Sequence, residues 1–257
     1  MGTAFEFLRL DTADGVAAIT LDRPPLNILT IEMIRELDAV LDEVTAGGHL
    51  KAVVLRANGK AFCAGVDVAD HAPGRVDTMI HGFGRLFTRL RTLPVPTVAV
   101  VHGAALGGGA ELALGCDMVL AASSARFGQP EIKLGVFPPI AAALFPHLIG
   151  YQQAARLIFT GETISADEAL RLGLVTEVSP DGELLTSLNR LLIQLRPLSA
   201  AALRLAKSAL LSGADRGVAG ALEPIENLYL ADLMETADAA EGIQSFIEKR
   251  QPVWRNE

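Results

Sequence analysis

The sequence predicts an α/β fold closed by a helical tail. Short β-rich apolar runs alternate with longer stretches whose apolar residues recur every three or four positions, glycine and proline punctuate the boundaries, and strand-like runs stop after about Arg196.

The elements follow in chain order. "FEFLRL" and "VAAITLD" flank Asp14-Gly15, the composition of a hairpin turn. Thr30 then stands where it can cap a helix whose inward face is Ile31, Ile34, Leu37, Leu41 and Val44. "KAVVLRA" reads as a buried strand. The loop "NGKAFCAGVDVAD" leads into a longer helix carrying Met79, Phe83, Leu86, Leu90 and Leu93. The strand "PTVAVV" runs into "GAALGGGAELALGCD", Gly103 to Asp117, where three consecutive glycines precede Glu111 by two residues at a helix start. "DMVLAA" and "ARFGQPE" continue the alternation. Past Arg196, "SAAALRLAKSALLSG" and the segment from Gly217 to Lys249 read as helices, with Pro197 and Gly213 as punctuation. The expected organisation is a core over residues 1–196 and a helical region over 197–257, with no repeat of fixed period.

Composition narrows the function. With 257 residues, half of them hydrophobic and a fifth charged, the chain can bury a large core. A net charge of -8 and the lack of any long run of like charges argue against nucleic acid as a partner. A polyanionic ligand would have to be held locally. Cys63 and Cys116 have neither metal-ligand spacing nor the density of a disulfide scaffold, so both are expected as buried, reduced thiols. No apolar stretch reaches the roughly 18–20 residues of a membrane span, and the N-terminal residues do not read as a secretory leader, so a soluble, cytoplasmic protein is expected. Met1-Gly2 opens like a myristoylation signal, but Glu6 stands where that signal wants Ser or Thr.

The glycine stretch is the first candidate site. Its spacing fits neither a dinucleotide-binding fingerprint nor a phosphate-binding Walker loop, because no G-x-G-x-x-G and no Lys-Ser/Thr can be placed on it. What remains is a helix start whose backbone N–H groups are uncovered by side chains, suited to an anion or a developing oxyanion. Gly65 lies in a second irregular loop, "FCAGVD", and its neighbour Val66 can direct another N–H at the same oxygen. Two converging N–H donors define an oxyanion hole. His102 with Ser123 or Ser124 lacks the G-x-S-x-G elbow of a serine hydrolase, so packing or surface roles are expected of them.

"LDRPPLNIL", "KAFCAGVD", "PTVAVVHGAALGGGAELALGCD", "ARFGQPEIKLG", "TGETISADEALRLGLV" and the terminal "FIEKRQPVW" together resemble the crotonase superfamily of enoyl-CoA hydratases and isomerases, in family order over nearly the whole chain. The resemblance implies a spiral of ββα units with C-terminal helices that build a homotrimer or a dimer of trimers. It implies that the N–H groups of Val66 and Gly108 receive a thioester carbonyl, and that Glu111 and Glu131 are the paired catalytic glutamates. Coenzyme A would arrive as part of the acyl-CoA substrate, with no metal and no separate cofactor. Its nucleotide end is expected near Arg23 and Lys249, the latter from a neighbouring subunit, and its adenine and pantetheine along the backbone from Ala64 to Asp67.

Because this fold hosts several reactions, the carboxylates decide more than the family does. Adding water to a conjugated double bond needs a water deprotonated on one side and a proton delivered to the α-carbon, which suits two carboxyl groups sharing one water. A double-bond shift can manage with one. The expected function is therefore a 2-enoyl-CoA hydratase working through an enolate; an isomerase of the same fold or a catalytically silent binding relative is the alternative. The apolar neighbours of Glu111 should raise its pKa, and Gln129 is a candidate for orienting the loop before Glu131. Where hydratases of linear chains carry a P-G-A-G-G-T-Q run, this chain reads "GVFPPIAAALFPHLIG". Phe137, Pro138 and Pro139 should stiffen the acyl pocket. With "DVADHAPGRVDTMI", this is similar to the branch that hydrates cyclic dienoyl-CoA thioesters.

Overall fold

A computed structural model describes residues 5–257, so Met1-Gly2 and its myristoylation reading lie outside the described residues. The chain opens with the antiparallel hairpin β1 (Leu8–Ala13) and β2 (Val16–Leu21). Its two-residue turn, Asp14-Gly15, has φ of 51° and 74°, the mirror-image geometry that matches strand twist. Helix α1 (Ile31–Ala46) crosses to β3 (Ala52–Ala57), α2 (Val76–Thr92) crosses to β4 (Thr97–Val101), and both new strands pair in parallel. Thr30 caps α1 by accepting from the Met33 N–H, as its sequence position suggested.

Beyond β4 the chain adds β5 (Ala104–Leu106), α3 (Gly108–Leu114), β6 (Met118–Ala122) and β7 (Arg126–Gly128). Next come α4 (Pro139–Ile149), α5 (Tyr151–Thr160), β8 (Thr163–Ser165), α6 (Ala166–Leu172) and β9 (Glu177–Ser179). Two sheets result. The larger is ordered β1-β2-β3-β4-β6-β9, parallel beyond the hairpin, and the smaller is β5-β7-β8.

The larger sheet is buried on both faces, and its side chains alternate accordingly. Val53, Leu55, Ala99, Val101, Val119 and Ala121 enter the main core with α1, α2 and α3, while Val54, Val98, Val100, Leu120 and Ala122 meet Leu184, Leu188 and Leu192 of α7 (Leu184–Leu195) on the other side.

The C-terminal helices ignore the expected punctuation at Gly213 and break at Gly217, where the second expected helical segment begins. Helix α8 (Ala200–Asn227), capped by Ser199, runs straight through Gly213; the interruption falls at Gly217, with φ 66° and ψ 168°. Glycine permits a break but does not force one, and only Gly217 takes a conformation that no helical residue adopts. A wide turn, Leu228–Leu233, leads to α9 (Ala237–Glu248). Among the described residues no helix is long and apolar enough to cross a membrane. Cys63 and Cys116 are both free and buried, and burial pushes each thiol up to about 12.

One buried cation ties α8 to the core. Lys207, 5% exposed, reaches Asp117 at 2.8 Å and the Val95 carbonyl at 3.0 Å. Asp117 in turn accepts from the Thr97 N–H and hydroxyl at the start of β4. Only the lysine is buried, and water still reaches the Asp117 carboxylate that its removal would leave without the ammonium. Lys207→Ala is therefore expected to cost about 1–2 kcal/mol, from the lost hydrogen bonds and lost packing of its buried stem, read as a lowered urea midpoint, whereas exposed Lys60→Ala should leave that midpoint unchanged.

Candidate active site

The loop after β3 approaches the opening of α3 more closely than any side chain would permit. Phe62 and Cys63 donate to the carbonyls of His102 and Ala104, Leu106 donates back to Cys63, and Val66 forms an isolated bridge with Leu29. Each glycine of the triplet then has its own steric reason. A β-carbon on Gly109 would stand 2.1 Å from the Cys63 carbonyl oxygen, one on Gly108 would stand 2.6 Å from Val66 Cγ2, and one on Gly107 would stand 2.3 Å from Glu131 Oε1. Gly107 also has φ 52°, a conformation that favours glycine.

Two buried polar side chains hold this approach in place, and the motif reading had not singled out either. Asn27 is fully buried; its amide donates to the Asn58 and Ala61 carbonyls and accepts from the Arg23 N–H. Asp70, in the 3-10 turn Val68–His71, accepts from the Ile31 N–H at the start of α1 and pairs with Arg75 at 2.6 Å. A polar residue in an otherwise apolar stretch was the available signal; only the fold supplies its partner.

Glu111 and Glu131 come together on one cavity of about 510 Å³, whose walls include Val66, Gly108, Phe83 and the run Val136 to Pro139. Glu111, in the all-buried helix α3, is 3% exposed, and its Oε1 accepts from the Ala141 N–H of α4 at 2.7 Å. Burial, reinforced by the Glu131 charge, pushes its pKa up to about 7. Glu131, in the 3-10 turn Pro130–Leu134, is half-buried, and burial raises its pKa as well; its Oε2 has no hydrogen-bond partner. Neither the Val66 nor the Gly108 N–H has an acceptor among the described residues. Two uncommitted donors and two acceptor-rich carboxyls thus share one cavity.

The remaining expected residues fall in different places. Ala64 lines the cavity. Asp67 borders it without lining it, its carboxylate accepting from the Ala69 N–H. Arg23 donates to the Ile28 carbonyl and stacks over Phe7, 5.8 Å from the ring centre. Lys249 is exposed at the end of α9, with φ 54°, and is not part of the cavity wall. Gln129 is fully buried with both amide atoms unpaired, so it holds no hydrogen bond to the loop that it was expected to orient. His102 meets the Gly59 carbonyl while Ser123 donates to Asp181, so they form no relay. Among the described residues no cluster could hold a metal ion.

A β-sheet spiral of this topology, closed by helices and opening its cavity beside a glycine-started helix, defines the crotonase fold. Solved structures agree: an enoyl-CoA hydratase subunit of Geobacillus kaustophilus superposes with a TM-score of 0.91 at 33% identity, covering 99% of this chain and 100% of that one. The family model described as enoyl-CoA hydratase/isomerase matches residues 11–257, and the chain belongs to that family. It is 36% identical over 251 residues to a short-chain-enoyl-CoA hydratase of Clostridium acetobutylicum, covering 94% of this chain and 95% of the relative. It is 35% identical over 247 residues to a cyclohexa-1,5-dienecarbonyl-CoA hydratase of Thauera aromatica, covering 96% and 95%.

The raised pKa of Glu111 is also a statement about stability. Between the ordinary carboxyl value and about 7 the folded chain binds the extra proton, so this residue's contribution to stability is present at low pH and lost as pH rises through 7. Glu111→Gln removes that loss. Denaturation midpoints should show the variant more stable than the parent at pH 8, by on the order of 1–3 kcal/mol, with the two converging toward pH 5.

Proposed function

We propose that the protein hydrates a conjugated 2-enoyl-CoA thioester through an enolate. The observation that carries this reading is the placement of both carboxyls and both uncommitted N–H groups on one cavity. The thioester carbonyl would accept from Val66 and Gly108, which stabilise the negative charge that develops on its oxygen. The carboxyl pair begins with one proton and holds the attacking water. As the water oxygen bonds to the β-carbon, the ionised carboxyl takes a water proton; the other carboxyl gives its proton to the α-carbon, and the pair again holds one. A group with pKa about 7 both gives and takes protons readily near neutrality, which suits Glu111. Two carboxyls exceed what a double-bond shift needs, and their retention disfavours a silent scaffold.

The acyl group is proposed to be a cyclic dienoyl unit. Val136, Phe137, Pro138 and Pro139 line one side of the cavity; Pro138 is buried and Pro139 fixes the first turn of α4, while Val136 and Phe137 stay exposed at its edge. A stiff wall favours a compact ring over a flexible chain. The similarity to the Thauera aromatica protein supports the same class. Coenzyme A is placed along Ala64 to Asp67, with its phosphates toward Arg23 and toward Lys249 of a neighbouring copy. That arrangement requires an oligomer, proposed as a homotrimer or a dimer of trimers, and exposed Val218, Leu222, Leu230 and Phe246 on the C-terminal helices give such an assembly an apolar surface to cover.

The purified protein, offered crotonyl-CoA and a cyclic dienoyl-CoA, should consume the conjugated thioester absorbance of the second faster. Glu111→Gln and Glu131→Gln should each lower turnover by at least ~10²; a rate within threefold of the parent removes that residue from the mechanism. Gly108→Pro deletes the proposed donor itself, so turnover should fall by ~10² or more in a variant with parental circular dichroism. Turnover near the parent rate would make Gly108 a packing glycine only.

A further inference from the structure

The cavity holds one ionisable side chain to which the hydration chemistry gives no role. His71 closes the turn Val68–His71, is half-buried, and lines the same cavity as Glu131. Its Nδ1 lies 3.1 Å from the Asp67 carbonyl oxygen, which can only accept, so Nδ1 carries a proton and Nε2 is the nitrogen left for the cavity. Glu131 Oε2 is buried without a partner. Apart from the two carboxyls themselves, the other side chains of the cavity wall are valine, isoleucine, leucine, methionine, phenylalanine, proline and alanine, none of which can donate a hydrogen bond.

We propose that His71 is a positioning residue for Glu131: with Nδ1–H given to the Asp67 carbonyl, the Nε2–H that the imidazolium form carries donates to the unpartnered Oε2 through one bridging water. The inference rests on the hydratase reading and deepens it. His71 and Glu131 form no direct hydrogen bond or ion pair among the described residues, so the proposed contact runs through water. The surrounding charges are committed elsewhere. On the turn itself Asp67 accepts from the Ala69 N–H, and Asp70 is turned to Ile31 and Arg75; Arg75 also faces Glu32 of α1. Lys133, two residues past Glu131, is exposed and is not part of the cavity wall, and Glu111 across the cavity is engaged by Ala141. Burial raises the Glu131 pKa, and the His71 charge opposes that rise. A protonated ring therefore offsets part of the negative charge that the carboxyl pair must carry in a largely apolar cavity.

The test reads Glu131 directly. Full-length protein labelled with ¹³C-glutamate, with the Glu131 carboxyl resonance assigned through Glu131→Gln, is titrated in the parent, in His71→Leu and in His71→Gln. The Glu131 midpoint should move up by about half a pH unit or more in His71→Leu, and by less in His71→Gln, which keeps a donor without the charge. The acid limb of kcat/KM for the enoyl-CoA should move the same way, with kcat falling more than KM rises and His71→Gln recovering part of kcat. An unmoved Glu131 titration in either folded variant overturns the proposal. Failure of the parent to hydrate any enoyl-CoA would overturn the hydratase reading instead, while the titration would still decide the role of His71.

Discussion

The Cys63 carbonyl and the backbone of Gly109 lie closer than a β-carbon would allow, and the rest of the site is arranged around that contact. A side chain at position 109 would drive the loop after β3 away from α3. The Val66 and Gly108 N–H groups would then separate, and the cavity wall they form would open. The loop is held by a ladder of backbone bonds to β5 and by the buried amide of Asn27, so the approach is over-determined rather than left to a flexible turn. The glycines at 107 and 108 extend the same constraint, one making room for Glu131 and the other for Val66.

This arrangement costs stability, and the surrounding packing offsets the cost. Glu111 is buried with a raised pKa, Glu131 has an unpaired buried oxygen, and Gln129 has two unpaired amide atoms. Buried polar groups without partners are unfavourable by about 1–3 kcal/mol each. The larger sheet, covered on one face by α1, α2 and α3 and on the other by α7, supplies the apolar burial that tolerates them. Lys207 adds a polar tie where the C-terminal helices meet that sheet.

Much of the fold was legible because single residues set it. The Asp14-Gly15 hairpin, the Thr30 cap and the inward face of α1 follow from local chemistry, and the structure agrees with each. The small sheet β5-β7-β8 was not legible. Its strands have three residues each, too few for an alternation to show, and they exist because Gly107 donates to Gly128 and Cys63 bridges to Ala105 across long stretches of sequence. The same limit applies to the site. Glu111 and Glu131 could be paired from their motifs, but Asn27, Asp70 and His71 take their meaning from partners that no spacing announces.

The hydrogen bond from the Ala141 N–H to Glu111 joins two parts of the cavity that chemistry would otherwise keep apart. The donor belongs to the first turn of α4, and Phe137 and Pro138 before that helix, with Pro139 at its start, line the same cavity. A substitution that moves this wall also shifts the donor that Glu111 accepts from, and with it the ease with which that carboxyl holds a proton. The shape of the cavity wall and the setting of the Glu111 carboxyl are therefore linked through one backbone N–H. A change of wall shape that moves the start of α4 would need a second change to return the donor to the carboxyl.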